Sequence, residues 1–134
     1  MPEPNTPSGE AEQFILEQID SVPHLEALLL IWRTRPKSWV VEEMAKALYV
    51  PTELAANILR DLAQRNLIEE SQKSAREYQY LSSEQQDLLI ALVDATYRRD
   101  LIRISRMIHA KPPSALREFA RAFRFTRDKE REKD

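Results

Sequence analysis

The chain has 134 residues, with 20 basic and 22 acidic side chains and a formal net charge of −2 at pH 7. It contains no cysteine and a single glycine, Gly9, which excludes disulfides, thiolate metal sites, cysteine nucleophiles and glycine-rich phosphate loops. Its apolar runs are too short to span a bilayer, and its acidic, Pro-rich start lacks the features of a signal peptide. We therefore expect one domain in the cytoplasm.

The beginning of the chain predicts a disordered segment followed by two helices. Residues 1–9 are rich in proline and poor in apolar side chains, so we expect them to be disordered. Ala11–Ile19 carries apolar residues along one side and is predicted to form the first helix. A second helix, from Pro23 to about Arg35, is apolar almost all round, which predicts a place at the centre of the core. Asp20 or Ser21 can cap its start.

The most informative stretch is 42–66, where two short amphipathic helices meet at a tight turn, Tyr49-Val50-Pro51. Apolar residues recur at steps of three and four in both: Met44, Ala45 and Leu48 in the first helix, and Ala55, Ile58, Leu59 and Leu62 in the second. This spacing places each set on one helix face. The pattern resembles a helix-turn-helix, whose second helix commonly enters the DNA major groove.

Short extended segments are expected on both sides of this motif. Ser38-Trp39-Val40 precedes it, while Leu67-Ile68 and the segment 78–81 follow it. The polar stretch 71–76 between the last two segments predicts a hairpin tip, so together they would form a wing. Asn66 stands directly after the second helix, where a left-handed backbone is common and asparagine tolerates it.

Together these elements resemble the winged helix-turn-helix family over about 23–81, with a layout closest to small bacterial regulators of the MarR and ArsR kind. The resemblance implies a mainly α fold with a small β-hairpin wing, extended here by a long C-terminal helix and a short terminal helix. It also implies a sequence-specific DNA-binding protein that regulates transcription. The sequence departs from the family pattern at Tyr49, where the turn usually has glycine, and at Pro51, which replaces a small polar cap.

The same resemblance carries over a set of DNA-binding residues by position. The expected groove-facing residues are Thr52, Glu53, Ala56 and Asn57. Asparagine can read adenine with two hydrogen bonds and glutamate can accept one from cytosine, while Arg60 would meet a phosphate. Lys73 and Arg76 would bring the wing tip to phosphate or to the minor groove. The alternative is that these side chains only solvate an exposed helix and an ordinary hairpin tip.

The last third of the chain predicts one long helix, from about Ser83 to His109, with Ser82 and Gln85 as its capping box. The apolar residues that recur along it are Leu89, Val93, Tyr97, Leu101, Ile104 and Ile108. A helix this long outruns a small domain and leaves apolar surface that needs covering. We therefore expect the stripe to form the seam of a symmetric homodimer, the alternative being that it packs onto its own domain.

A short terminal helix is predicted over 114–125, after Pro112-Pro113. Arg117, Arg121, Arg124 and Arg127 form a basic ridge along it, opposite a side with Phe119 and Phe123. The ridge would bind phosphate, a membrane surface or a protein partner, or else remain solvated while the phenylalanines dock. The predicted organisation is a disordered segment at 1–9, a winged helix-turn-helix domain at 10–81, a helical extension at 82–126 and a charged tail at 127–134.

The polar residues show no pattern typical of an enzyme or a metal centre. His24 and His109 lack metal-ligand spacing, and the adjacent pairs 42–43 and 69–70 point in different directions. We therefore expect no catalytic activity, no metal and no cofactor. Two functions stay open. The helix-turn-helix spacing and hairpin favour a dimeric DNA-binding regulator. The acidic character of the motif favours a winged-helix module that binds protein and not DNA.

Overall fold

The computed structural model describes residues 7–72 and 76–111, which form six helices and three short strands. In chain order these are α1 (Pro7–Gln18), α2 (Val22–Arg33), β1 (Trp39–Val40), α3 (Val41–Leu48), α4 (Thr52–Gln64), β2 (Ile68–Glu70), β3 (Glu77–Tyr80), α5 (Glu84–Arg99) and α6 (Leu101–His109). A helix-turn-helix followed by a hairpin that pairs with a strand before the motif is a winged helix-turn-helix, so the predicted fold is confirmed. The predicted terminal helix, its arginine ridge and the charged tail lie outside the described residues.

The central helix is α2, as its apolar composition predicted. Ser21 caps it: the hydroxyl oxygen accepts the backbone N–H of His24 at 3.3 Å, and Pro23 lies in the first turn. The helix ends at Arg33, two residues before the predicted end, where the Thr34 hydroxyl donates to the Leu30 carbonyl at 2.8 Å. Its fully buried apolar residues are Leu25, Ala27, Leu28, Leu29 and Ile31. Helices α3, α4, α5 and α6 and strand β3 pack against α2.

The helix-turn-helix is formed by α3 and α4 with the predicted turn between them. The Val50 N–H donates to the Ala45 carbonyl at 3.0 Å and closes the turn, while Tyr49 takes the left-handed conformation at φ 57° and ψ 46°. All seven apolar residues predicted for the two inner faces contribute to the core, six fully buried and Leu48 half-buried. Trp32 of α2 is also half-buried against the same core.

The wing is a three-stranded antiparallel sheet in the order β1-β3-β2. In its register Trp39 lies opposite Tyr78, and Ile68 lies opposite Tyr80. These four side chains are buried, which fixes the inner face of the sheet against the helices. Asn66, between α4 and β2, has φ 61°, so the left-handed residue predicted directly after the second helix of the motif is confirmed.

The single long helix predicted for residues 83–109 is wrong. Asp100, at φ −123° and ψ 45°, ends α5, and α6 begins directly after it. Its carboxylate accepts hydrogen bonds from Arg99 at 3.2 Å and Arg103 at 3.1 Å, which stabilises the break without a glycine or proline. The predicted capping box is not formed: Ser83 and not Ser82 caps α5 by accepting the backbone N–H of Gln86, the third residue of the helix. The Gln86 side chain donates instead to the carbonyls of Leu67 and Leu81.

This break places most of the predicted dimer stripe inside the chain's own core. Val93, Tyr97, Ile104 and Ile108 are buried, Leu89 is half-buried, and only Leu101 is exposed, by 50%. The reason is that α5 packs along α1 and α6 turns back towards α1 and α2. A continuous helical seam through all six residues is therefore not available to a second copy.

The two ends of the described chain share one core. Helix α1 begins at Pro7, inside the segment predicted to be disordered, and its buried residues Ala11, Ile15 and Ile19 pack with those of α5 and α6. A single hydrophobic cluster runs from Ala11 to Ile108, across the boundary predicted at residue 81. Among residues 7–72 and 76–111, no helix combines the length and hydrophobicity that a bilayer crossing requires.

Candidate nucleic-acid interface

One side of helix α4 is polar and faces solvent. Its inner face, with Ala55, Ile58, Leu59 and Leu62, is fully buried and fixes the rotation of the helix about its axis. The residues predicted to face a DNA groove lie on the other side: Thr52, Glu53, Asn57 and Arg60 are exposed, and Ala56 is half-buried. The structure thus brings these five residues together on one outward surface, called here the α4 surface.

Two side chains of the α4 surface are already linked. Arg60 donates from Nη1 to Oδ1 of Asn57 at 3.2 Å, across one turn of the helix. Because this bond engages only the amide oxygen of Asn57, both amide N–H groups stay directed away from the arginine. The remaining guanidinium donors of Arg60 can meet a phosphate in the same orientation. The pair is therefore compatible with one residue reading a base edge and its neighbour contacting the backbone.

Carboxylates beside the α4 surface are partly neutralised by basic neighbours. Lys37 pairs with Glu43 at 3.1 Å, and Arg76 of the wing pairs with Glu42 at 3.8 Å. The hydrogen bond from Lys37, followed by that from the Val40 N–H, holds the pKa of Glu43 below its usual value. Both acidic residues at the start of α3 therefore act on their surroundings as parts of ion pairs.

The wing has an arginine at its tip and an acidic outer face. Arg76 is exposed with φ 70°, and its backbone N–H donates to Oε1 of Glu70 at 2.9 Å; the other predicted wing contact, Lys73, lies outside the described residues. An open cleft of about 510 Å³ covers the outer face of the sheet. Its lining residues are Ser38, Glu69, Glu70, Ser71, Gln72, Glu77 and Gln79. Its three glutamates make this face unfavourable for phosphate.

A partly buried polar network behind α4 was missed by the sequence reasoning. His24 contacts Asp61 of α4 through Nε2 at 2.8 Å and the Ser21 hydroxyl through Nδ1 at 2.6 Å. Arg65, directly after α4, donates from Nη2 to both oxygens of Asp20 at 3.0 and 3.1 Å. These contacts join positions 37 and 45 residues apart, so no local spacing could reveal them. They attach the C-terminal half of α4 to the link between α1 and α2.

The same network includes the three residues of the described chain with donor atoms close enough for a metal ion. One ligand atom each from Asp20, His24 and Asp61 lies within 4.8 Å of the others. The sequence spacing of His24 gave no sign of this cluster, because the fold brings the two carboxylates to it. The guanidinium of Arg65 already binds Asp20, and its positive charge opposes a cation there. We therefore interpret the cluster as a structural network.

A second open cleft, of about 540 Å³, lies between α1, α5 and the start of β2. Its lining residues are Glu10, Gln13, Phe14, Glu17, Gln18, Arg65, Leu67, Gln86 and Leu89. The side chain of Gln86 donates to the carbonyls of Leu67 and Leu81 at 3.3 and 3.0 Å, which fastens α5 to both ends of the hairpin. The half-buried position of Leu89 follows from its place on this cleft.

No protein-family model matches the sequence, and a search of curated proteins finds no match. Among solved structures, the chain is similar to MepR, described as a transcription regulator of the Staphylococcus aureus multidrug efflux pump MepA. That match has a TM-score of 0.48 at 15% identity and covers 92% of this chain and 89% of the other. A mutant of Staphylococcus aureus MepR matches with a TM-score of 0.46 at 16% identity, covering 90% and 87% of the two chains.

Proposed function

We propose that this chain is a DNA-binding transcription regulator that presents the α4 surface to the major groove of duplex DNA. The observation that carries the proposal is the division of α4 into a fully buried apolar side and an outward polar side. The side chains on the outward side include hydrogen-bond donors and an acceptor, and they neither pack in the core nor cap a helix. A helix held rigidly from behind, with such a side facing solvent, suits insertion into a groove.

Within this proposal the residues of the α4 surface have different roles. Asn57 reads a base edge, because its amide can exchange two hydrogen bonds with adenine. Arg60 neutralises a phosphate and adds affinity without sequence information. Thr52, Glu53 and Ala56 line the contact around them. Arg76 follows at the wing, where it would leave Glu42 for the DNA backbone.

The acidic residues near the α4 surface are compatible with this role. An exposed ion pair contributes only about 0–1 kcal/mol, so exchanging the 3.8 Å contact between Arg76 and Glu42 for a phosphate costs little. The pair of Lys37 and Glu43 brings no net charge to the DNA. We expect modest affinity, strongest at low salt, because phosphate attraction is screened as ionic strength rises.

The same proposal includes a homodimer, but its contact lies at the start of α6 and not along the whole predicted stripe. Leu101 and Ile102 at the start of α6 are exposed apolar residues and are available to a second copy. Two copies related by a two-fold axis would place two α4 helices on half-sites roughly one turn of DNA apart, about 34 Å. A regulator of this kind would act in the cytoplasm, on bacterial DNA.

The experiment selects bound sequences from a random duplex pool and then measures affinity at two salt concentrations. Asn57→Ala should reduce discrimination between selected and scrambled duplexes by about 1–3 kcal/mol. Arg60→Ala should weaken binding to every duplex and lower the slope of log K against log salt by about one. Arg106→Ala is the matched control, because it removes an equal charge from an exposed position on α6. Wild-type protein that ignores duplex DNA at low salt would refute the proposal.

The second candidate is a winged-helix module that binds protein and not DNA. The observation in its favour is the acidic outer face of the wing, with Glu69, Glu70 and Glu77 around one cleft. Such a face suits a basic protein surface better than a phosphate backbone. Under this alternative, neither the wild-type protein nor Arg60→Ala would bind DNA measurably. Charge reversal at Glu69 and Glu77 would abolish capture of the partner protein.

A further inference from the structure

Tyr49, in the turn of the helix-turn-helix, makes almost no contact with the rest of the chain. It is 95% exposed, more than any other large hydrophobic residue in the described ranges. Tyrosines elsewhere in the fold behave differently, since Tyr78, Tyr80 and Tyr97 are all buried. The aromatic ring of Tyr49 therefore contributes no packing that would explain its presence.

The backbone at Tyr49 is also unfavourable for this residue type. It ends α3 in the left-handed region, where its N–H donates to the Lys46 carbonyl at 3.4 Å and the next N–H donates to Ala45. Left-handed backbone is strained for any residue with a Cβ and is common for glycine and asparagine. The turn requires the conformation but not the tyrosine. Neither packing nor backbone geometry accounts for the side chain.

The position of Tyr49 gives it a place beside the proposed DNA contact. The turn leads directly into α4, whose first residue, Thr52, belongs to the α4 surface. Lys46, whose carbonyl accepts from Tyr49, is exposed at the end of α3 and supplies positive charge next to it. A phenolic hydroxyl is a good donor to a phosphate oxygen, and its ring brings that donor out from the surface.

We propose that Tyr49 donates its hydroxyl to a phosphate of the DNA backbone at the entrance of α4 into the groove, with Lys46 supplying the adjacent charge. This inference rests on the proposed DNA-binding function and names a contact outside the predicted set. The contact positions the protein on the duplex and reads no base, so it acts equally on all sequences. Tyr49 is neutral, so it releases no counterion, whereas Lys46 does.

The test measures affinity for a random-sequence duplex at several salt concentrations, together with thermal unfolding. Tyr49→Phe removes only the hydroxyl and should weaken binding about tenfold with an unchanged salt slope. Lys46→Ala should weaken binding and lower the slope by about 0.9. Tyr49→Gly should weaken binding at least as much as Tyr49→Phe, while its midpoint of thermal unfolding stays equal or rises by roughly 2–5 °C. Tyr97→Phe, which loses a hydroxyl bonded to Glu26, is the control.

The outcomes separate this inference from the function on which it rests. If the wild-type protein binds duplex DNA and both Tyr49 variants bind equally well, the phosphate contact is refuted and the DNA-binding function stands. If Tyr49→Phe binds normally and only Tyr49→Gly is weakened, the hydroxyl has no role and the inference is overturned. If the wild-type protein binds no duplex, both proposals fall together.

Discussion

Replacing Arg65 with alanine should strongly destabilise the fold, because this residue holds the end of α4 against α1. Its Nη2 lies 3.0 and 3.1 Å from the two carboxylate oxygens of Asp20, and its Nη1 donates to the Glu17 carbonyl at 3.3 Å. The side chains of Asp20 and Arg65 are only 12% and 27% exposed. Charge-assisted hydrogen bonds contribute about 1.5–3 kcal/mol, and removing one partner of a fully buried ion pair costs about 3–5 kcal/mol.

The partial exposure of Arg65 lets water reach the abandoned carboxylate, so we expect a loss of about 2–4 kcal/mol in the free energy of unfolding. The midpoint of thermal unfolding should fall by roughly 6–15 °C for a chain of this size. Urea unfolding followed by circular dichroism measures the change. Combining Arg65→Ala with Asp20→Ala should cost less than the sum of the single changes by about 1–3 kcal/mol.

Arg98→Ala is the matched control, since it also removes an arginine from an ion pair. Arg98 is 63% exposed and lies 3.2 Å from Asp94, which keeps its second partner, Arg33. Because Arg98 is exposed and the buried Asp94 keeps Arg33 as a partner, Arg98→Ala should cost less than about 1 kcal/mol. The reasoning is refuted if Arg65→Ala costs no more than Arg98→Ala, or if the Asp20 and Arg65 changes are additive.

Three further predictions concern the core, the response to acid and the assembly. Leu29→Ala should lower the free energy of unfolding by about 2–5 kcal/mol, whereas Leu88→Ala, at a side chain 67% exposed, should cost less than about 1 kcal/mol in the same urea titration. The pKa of Glu43 is lowered by Lys37, so its contribution to stability is present above the ordinary glutamate pKa and is lost as pH falls through the folded value. Glu43→Gln should therefore be less stable than wild type at neutral pH, with the difference shrinking as pH falls below the ordinary glutamate pKa, and a difference that stays constant on acidification would contradict the assignment. Light scattering at micromolar concentration should give a mass of two chains for the wild-type protein and of one chain for Leu101→Glu. A monomeric wild type would remove the dimer from the proposal.

The sequence predicted the helix-turn-helix well because the signals for it are local. Two apolar faces at steps of three and four define α3 and α4, and Asn66 takes the left-handed backbone expected directly after the second helix. The strand before α3 was expected from its place in front of the motif, and its Trp39 lies opposite Tyr78 with both side chains buried. In each case the residue type itself limits the backbone or the face that is buried.

The break at Asp100 could not be predicted in the same way. The apolar stripe continues across it without a glycine or proline, and aspartate is tolerated inside helices. The break is stabilised by tertiary contacts, among them the ion pair that Arg103 forms with Glu12 of α1 in addition to its bond with Asp100. A periodic pattern shows which residues are apolar but not where the helix changes direction.

The candidate site also contains residues that local sequence predicts and residues that only the tertiary structure reveals. The outward residues of α4 followed from the inner face of the helix, because the opposite side of an amphipathic helix must face solvent. The network of Asp20, His24, Asp61 and Arg65 depends on contacts between distant positions, which a single sequence does not encode locally. Tyr49 was noticed as a departure from the family's glycine, but only the structure adds its exposure and its left-handed backbone.

The packing of α1 along α5 has a consequence for the order in which the protein can fold during synthesis. The helix-turn-helix and wing join segments close in sequence, so they can assemble soon after leaving the ribosome. Helix α1 is made before the helix-turn-helix and wing, yet α5 (Glu84–Arg99), the helix against which it packs most extensively, is made after them. Until residue 99 has emerged, the apolar side of α1 with Ala11, Ile15 and Ile19 stays incompletely covered and open to chaperones or to a neighbouring nascent chain. A nascent chain of which only residues up to about 81 have emerged would therefore carry a formed wing beside an N-terminal segment that proteases can still cut.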